Sequence, residues 1–291
     1  MRAPASLSRL AFRSIEFSSS LPFADLASVP SPPTHYILPH LPSIVTAETK
    51  ADFQFHTAPH VDRCAGDSSA LLSQNDGVAT NPKPKPIMTM AASLFEDPAS
   101  LIESARERME GYGADTLLIV GGNEKTDKSL TSPEAIGILS ESFPIDKLSL
   151  FCAWDPNSPR DLDQLTKKID AGATGVITQP LLTSSAWDQL DMLCQSETLF
   201  DESVKLIPGL ALPKSAKSLL FWSSLLKESS PIQKDDGFAQ SLRYFESSDF
   251  DETFRLAWST DQRDRLLSYA IIHGMHFMPL GNKGDLLQLL R

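Results

Sequence analysis

The sequence has few cysteines and no long hydrophobic segment, and each absence excludes a class of protein. Its three cysteines, Cys64, Cys152 and Cys194, are widely separated among 291 residues. Neither a disulfide framework nor a CxxC metal or redox site can therefore form locally. No apolar run approaches the ~20 residues that a membrane helix needs. We expect a protein of a reducing compartment that has no membrane partner.

Clusters of positive charge are also missing. The chain has 26 Lys and Arg residues against 37 Asp and Glu residues, a formal net charge of -11, and no run rich in lysine or arginine. A surface that binds nucleic acid needs clustered positive charge against the phosphate backbone. Nucleic acid is therefore not an expected partner, and a small molecule is favoured.

Motifs for two common ligand sites are absent. Neither GxGxxG nor GxxxxGK[ST] occurs, although an open doubly wound sheet usually binds its nucleotide on such a glycine-rich turn. His56 and His60 have a spacing that could place two metal ligands on one helix face, but Pro59 disfavours a helix there. We expect no metal site.

Short β-rich apolar runs are present, and stretches with helical periodicity separate most of them. Eight candidate strands fall at 14–17, 35–38, 86–90, 115–122, 148–154, 175–179, 204–211 and 275–280. Eight strands in a chain of this length match a closed parallel barrel. The sequence predicts the α/β class, with a single (β/α)8 TIM-type barrel over residues 12–291.

The helical stretches vary in strength. Asp97 and Pro98 are a natural N-cap and first turn for a helix over 99–110. Further helices are expected at 160–171, 215–226 and 260–273, with one helical turn near 238–244. Residues 43–85 are rich in Pro, Asn, Asp and Ser and have no helical period, which predicts an irregular second βα unit.

We expect residues 1–11 to be a basic tail or a targeting segment, because they contain Arg2 and Arg9 and no acidic residue precedes Glu16. We expect a cytoplasmic protein, with mitochondrial or plastid import as the alternative. Cleavage beyond Arg13 would remove part of the first strand, which weakens that alternative.

In a barrel, the reactive groups come from the carboxyl ends of the strands. The residues which that position nominates include Glu16 at the first strand, Gly121, Gly122 and Asn123 after the fourth, Gln179 at the end of the sixth, and Gly209 on the seventh. A glycine pair lets a ligand approach the backbone closely.

Four segments resemble one known family. DLDQLTKKIDAGATGVITQ (161–179) and IPGLALPKSAKS (207–218) are similar to the methylenetetrahydrofolate reductase family, and LLIVGGN (117–123) and AWDPN (153–157) occur in the matching order and spacing. The resemblance implies a barrel that holds FAD and uses NAD(P)H to reduce 5,10-methylenetetrahydrofolate to 5-methyltetrahydrofolate, in one-carbon and methionine metabolism.

The resemblance also implies roles for particular residues. Glu16 matches the family's acid on the first strand and would be the general acid, and Gln179 matches the amide that hydrogen-bonds the pterin. Asp161 and Lys168 match positions that contact the ribityl and phosphate portions of FAD, and Trp222 aligns with an aromatic position beside the nicotinamide or flavin. Each residue has a structural alternative, as a solvated, capping or packing residue.

Departures from the family pattern leave other functions open. Where the family has Arg-Gly-Asp, this chain has Gly121, Gly122 and Asn123, so a neutral amide replaces the aspartate. By the resemblance, the glycine pair would lie beside the cofactor and Asn123 beside the substrate. Met88 or a neighbouring residue falls where the family's third strand usually has a histidine. One alternative is a folate- or flavin-binding relative that has lost catalysis, and another is a flavin-free barrel enzyme that uses Glu16 as acid or base. Homo-oligomerisation is also left open.

Overall fold

The computed structural model describes residues 12–16, 33–38, 85–122, 126–158, 161–195, 203–225, 235–247, 251–279 and 283–290. Within these residues, all eight predicted strands are confirmed. They are β1 (Phe12–Glu16), β2 (His35–Leu38), β3 (Lys85–Ala91), β4 (Thr116–Val120), β5 (Ser149–Trp154), β6 (Gly175–Pro180), β7 (Lys205–Ala211) and β8 (Gly274–Met278).

The strands pair in parallel and in chain order, and β8 also pairs with β1. Ser14 of β1 is the partner of His35 on one side and of His276 on the other. The α/β class with a curled parallel sheet is therefore confirmed. The segments that follow β1 and β2 lie outside the described residues, so the complete (β/α)8 alternation and the irregular second βα unit stay predictions.

The helices cover the outside of the sheet. Those in the described residues are α1 (Pro98–Tyr112), α2 (Ser132–Ser142), α3 (Asp161–Asp170), α4 (Ser184–Gln195), α5 (Ala216–Leu225), α6 (Asp236–Phe245), α7 (Glu252–Leu267) and α8 (Lys283–Leu289). One helix follows each of β3 to β6, three follow β7, and α8 follows β8. Across the described part of the chain, no helix has the length and apolar character needed to cross a membrane.

Local sequence signals account for the starts of the first two helices. The Asp97 carboxylate accepts a hydrogen bond from the Ser100 N–H at 2.9 Å, as predicted, and Gly113 ends α1 with φ at +63°. At α2, Glu134 accepts from the Thr131 N–H at 2.8 Å, while the Thr131 hydroxyl accepts from the Glu134 N–H at 3.4 Å. Both helices therefore begin at residues that satisfy their free N–H groups.

Two helix predictions were wrong in extent. A full helix, α6, replaces the predicted single turn, because Asp235 caps its first turn and accepts from the Phe238 N–H at 3.0 Å. α7 begins eight residues before the predicted position and ends at Leu267. The residues after it join the sheet instead, where the His273 N–H donates to the Leu206 carbonyl at 3.0 Å.

The interior of the ring contains its own apolar layer. Leu117 and Ile119 of β4 pack with the helices, whereas Leu118 between them belongs to a second cluster. That cluster takes one residue from each of six neighbouring strands: Ile37, Ile87, Leu118, Phe151, Ile177 and Ile207. A Cβ on Gly175 would lie 2.5 Å from the Phe151 ring, so this glycine makes room for it. We call this cluster the interior layer, and it separates the two ends of the ring.

Candidate functional site

The carboxyl ends of the strands form one rim of the ring. Two residues predicted to contact the substrate, one on β1 and one on β6, lie at this rim. Glu16 is the last residue of β1, and Gln179 is the next to last of β6. The continuous register from β1 through β8 and β7 to β6 places both at this rim. The structure describes the backbone of Glu16 and not its side chain.

Gln179 lies in an irregular step of the β6–β7 pairing. The regular register runs through Ile177 and resumes at Pro180, which pairs with Gly209. The Thr178 hydroxyl fills this step, because it accepts from the Gly209 N–H at 2.9 Å and donates to the Gln179 carbonyl at 2.7 Å. These bonds hold the backbone of Gln179 in one conformation.

The bulge requires a glycine on the neighbouring strand. A Cβ on Gly209 would overlap the Thr178 carbonyl oxygen and would lie 2.8 Å from Cε of Met278. No larger residue can therefore fit opposite the bulge unless the β6 backbone moves. The geometry of Gln179 thus depends on Gly209 as well as on its own strand.

A buried asparagine holds the segment that follows Gln179. The Asn157 side chain is completely buried, and its Nδ2 donates to Oδ1 of Asp155 at 2.9 Å and to the Pro180 carbonyl at 2.8 Å. Its Oδ1 accepts from the Leu182 N–H at 3.3 Å and from the Thr183 hydroxyl at 3.1 Å. The turn after β5 is thereby joined to the loop after β6.

The Gln179 side chain itself is half-buried at the rim. It makes no hydrogen bond to another described residue, although the backbone on both sides of it is bonded. An amide on a fixed backbone with its donor and acceptor both available is suited to a polar heterocycle.

The glycine pair after β4 has a clear structural use. Gly122 has φ at +83°, and a Cβ there would overlap the Ser93 hydroxyl oxygen. The Gly121 carbonyl accepts from the Ser93 N–H at 3.1 Å. The pair thus lets the loop after β4 lie against the 3-10 turn of residues 92–94. Among the described residues, a Cβ on Gly121 would meet only the Ser132 hydroxyl, at 3.6 Å.

Two further residues that were predicted to bind cofactor, Lys168 and Trp222, contact other parts of the protein. The Lys168 ammonium is buried and donates to the Ala153 carbonyl at 2.7 Å, which ties α3 to β5. Trp222 is 4% exposed and packs in an apolar cluster with Phe238 and Met278. Its indole N–H is buried and has no hydrogen-bond partner among the described residues.

The remaining candidates are only partly described. Asn123 lies outside the described residues, and so does the side chain of Asp161, the first residue of α3. Their predicted roles, like those of the other site residues, stay predictions.

Two positioning residues were not predicted, Asn157 and Thr178, whereas the strand-end position had nominated Gly209 without its role opposite the bulge. A local signal exists for Asn157, because the sequence Asp155-Pro156-Asn157 directly follows a strand, and the Asn157 N–H donates to Oδ1 of Asp155 at 2.9 Å. The contacts of Thr178 and Gly209 depend on the bulge, which has no pattern in the sequence.

A histidine lies inside the ring beside β1. Nδ1 of His276 is 3.0 Å from the Ser14 hydroxyl oxygen, two residues before Glu16. Burial lowers the pKa of His276 to about 4, although its hydrogen bond with Ser14 acts in the opposite direction. The imidazole is therefore neutral at pH 7 and adds no positive charge next to β1.

The fold and the rim define a class of protein, an α/β chain with a curled parallel sheet whose candidate ligand site is built from the loops at the carboxyl ends of the strands. Within that class, a family model described as methylenetetrahydrofolate reductase matches residues 136–291. This match spans more than half of the chain, and the chain belongs to that family.

Solved structures share the fold at low sequence identity. A protein from Clostridium thermocellum that binds two copies of 5-methyl-5,6,7,8-tetrahydrofolic acid has a TM-score of 0.58 and 14% identity, and the alignment covers 96% of this chain and 93% of that one. Chitinase ChiW from Paenibacillus sp. str. FPU-7 has a TM-score of 0.50 and 11% identity, over 96% of this chain and 42% of that one. No curated protein sequence matches this chain.

Proposed function

We propose that this protein binds a reduced folate at the carboxyl rim of the ring, within a complete (β/α)8 barrel. Membership of the methylenetetrahydrofolate reductase family supports a folate-related function. The Clostridium thermocellum protein, which has a similar fold, binds 5-methyltetrahydrofolate. The observation that carries the proposal is the half-buried Gln179 amide, which bonds to none of the described residues while its backbone is fixed.

The chemistry of a pterin suits that amide. The ring edge of a pterin carries N–H donors next to carbonyl and ring-nitrogen acceptors, and a glutamine amide offers one group of each kind. Because Thr178 holds the Gln179 carbonyl at 2.7 Å, little backbone freedom is lost when the ligand binds. The role of Gln179 is to orient the pterin.

The described residues do not present the flavin site that the family resemblance implies. Ser93 fills the space beside Gly122, and the Lys168 ammonium donates a hydrogen bond to the Ala153 carbonyl. Trp222 is buried in an apolar cluster. None of these three offers a group to a phosphate or an isoalloxazine ring.

A second candidate function is the NAD(P)H-dependent reduction of 5,10-methylenetetrahydrofolate. The family match favours it, and so does the position of Glu16 at the same rim as Gln179. In this case Glu16 would donate a proton to the folate as general acid. The first candidate function, by contrast, requires only that the protein binds a reduced folate.

A titration of purified full-length protein with 5-methyltetrahydrofolate tests the binding proposal. Loss of two hydrogen bonds at about 1 kcal/mol each should weaken binding by about 30-fold in Gln179→Ala. The matched control is Gln195→Ala, at the exposed far end of α4, which should leave the affinity unchanged. Equal affinities in all three proteins, or no binding by the wild type, would overturn the proposal.

A further inference from the structure

A cavity lies at the opposite end of the ring from the candidate folate site. It has a volume of about 280 Å³ and lies at the amino ends of the strands, where five basic side chains line it. These are His35, Lys85, Lys147, Lys205 and His273. We call it the amino-end cavity.

The charge of the amino-end cavity is opposite to that of the chain. Its lining contains three lysines against Asp115 and Asp146, in a protein of formal net charge -11. The Lys85 ammonium donates to the Asp115 carboxylate at 2.6 Å, so these two charges compensate each other. Burial is the largest single influence on Asp115 and raises its pKa, but the hydrogen bonds from Lys85 and Thr116 and the nearby positive charge together outweigh burial and lower the pKa.

The two other lysines remain available. Among the described residues, neither Lys147 nor Lys205 takes part in an ion pair, and both side chains are exposed. They come from different elements, the turn before β5 and the start of β7. Both lysines line the same cavity although they are far apart in sequence. The negative charge of the exposed Asp146 carboxylate offsets one of their two positive charges.

A histidine adds a directional donor to these charges. Nδ1 of His273 accepts a hydrogen bond from the Leu206 N–H at 3.4 Å. In the neutral imidazole the proton therefore lies on Nε2, which can donate to a ligand. Because His273 lines the cavity, an anion between the lysines would meet the Nε2–H donor as well as two ammonium groups.

The inner wall of the cavity limits its occupant. Phe151 lines the cavity and also belongs to the interior layer, which separates this end from the carboxyl rim. The volume of about 280 Å³ is close to the lower end of the ~300–1,000 Å³ range of small-molecule sites. The occupant is therefore small, and it is not the ligand of the rim.

We propose that the amino-end cavity binds a small polyvalent oxyanion, the phosphate or dicarboxylate group of a metabolite, through Lys147, Lys205 and Nε2 of His273. Two ammonium groups and one N–H donor suit an anion with several oxygens and at least two negative charges. The proposal is independent of the proposed folate function, because it uses residues at the other end of the strands.

Calorimetric titration of the full-length protein at constant ionic strength tests this inference, with sodium pyrophosphate and sodium malate as the probes. We expect saturable binding of at least one probe to the wild type. Lys205→Gln and Lys147→Gln should each weaken that binding by about tenfold, since each removes one charge-assisted contact. Tighter binding of pyrophosphate identifies a phosphate site, and tighter binding of malate identifies a carboxylate site.

The matched control is Lys217→Gln, which removes one exposed lysine charge from α5, away from the lining of the cavity. It should bind both probes as the wild type does. Thermal unfolding of each variant verifies folding, and if Lys205→Gln does not fold, Lys147→Gln decides the outcome. Absence of binding at millimolar probe concentration, or equal affinity in all the proteins, would overturn the proposal.

Discussion

The side-chain amide of Asn157, in the turn after β5, donates a hydrogen bond to the main-chain carbonyl of Pro180 at 2.8 Å. Pro180 directly follows Gln179, the residue proposed to orient the pterin. The bond is completely buried, so water does not compete for it. The position of the proposed folate contact thus depends on a residue of a neighbouring strand's loop.

Replacing Asn157 with Asp tests this dependence. The carboxylate cannot donate to Pro180 and would face the Asp155 carboxylate, so the free energy of unfolding should fall by about 2–4 kcal/mol. Affinity for 5-methyltetrahydrofolate should fall as well. The control is Leu139→Ala, a buried change on α2, which should lower the free energy of unfolding by a similar amount. If both variants lose folate affinity equally, Asn157 acts through stability alone.

The bulge in β6 predicts a contrast between two glycines. Gly209→Ala should lower the free energy of unfolding by about 1–3 kcal/mol, because the added Cβ overlaps the Thr178 carbonyl. Gly284→Ala, on α8 where no atom of a described residue lies within 4 Å of the added atom, should instead raise it by about 0.5–1 kcal/mol. Urea denaturation measures both, and a neutral Gly209→Ala would show that the bulge can relax.

The last helix is attached to α7 by a buried ion pair. Nε and one terminal nitrogen of Arg255 donate to the two carboxylate oxygens of Asp285 at 2.6 and 2.7 Å, and the Asp285 side chain is 0% exposed. Asp285→Asn leaves the guanidinium poorly paired and should lower the free energy of unfolding by about 3–5 kcal/mol. Asp264→Asn, which removes the exposed partner of Arg263, should change it by less than about 1 kcal/mol. Similar losses in the two variants would contradict this difference.

His276 predicts a loss of stability in acid. Its pKa of about 4 in the folded protein lies below the ordinary value of 6.5, so the unfolded chain binds a proton first as the pH falls. This contribution is negligible above pH 6.5, and it should cost the wild type about 2 kcal/mol between pH 7 and pH 5. His276→Gln has no imidazole to titrate. The free energy of unfolding should therefore fall more in the wild type than in the variant between pH 7 and pH 5. Parallel pH curves would show that His276 does not titrate in this way.

Glu16→Gln separates the two candidate functions. If the protein is a reductase, the purified protein is yellow and NADH or NADPH bleaches it. The variant should then keep this bleaching but lose about 100-fold or more of methylenetetrahydrofolate turnover, because the general acid is missing. Glu141→Gln, exposed on α2, is the control. Undiminished turnover would show that Glu16 is not the acid, and a colourless protein that binds folate favours the binding function.

Most of the fold could be predicted from the sequence because its signals are local. Short β-rich apolar runs mark the strands, and Asp97 with Pro98 marks the start of α1. The order of four motifs along the chain was enough to predict the family. The extents of α6 and α7 were missed because the cap of α6 at Asp235 stands in a charged, loop-like segment and α7 has no strong boundary signal.

The candidate site could be predicted only in outline. The strand-end rule places Glu16 and Gln179 at one rim from the sequence alone. Lys168 looks like an exposed member of a charged helix, and only the packing of α3 on β5 turns its ammonium to the Ala153 carbonyl. Asn157, Thr178 and Gly209 act through contacts across neighbouring strands, which periodicity does not encode.

What the sequence by itself determined was the set of strands, the class of fold and the family, because periodicity, caps and motif order depend on residues close together along the chain. The tertiary structure alone decided which polar groups meet. Ser14 and His276 are 262 positions apart and lie 3.0 Å from each other, and Lys147 and Lys205 line one cavity. Such pairs arise when strands close into a ring, since closure brings together residues that no local pattern connects.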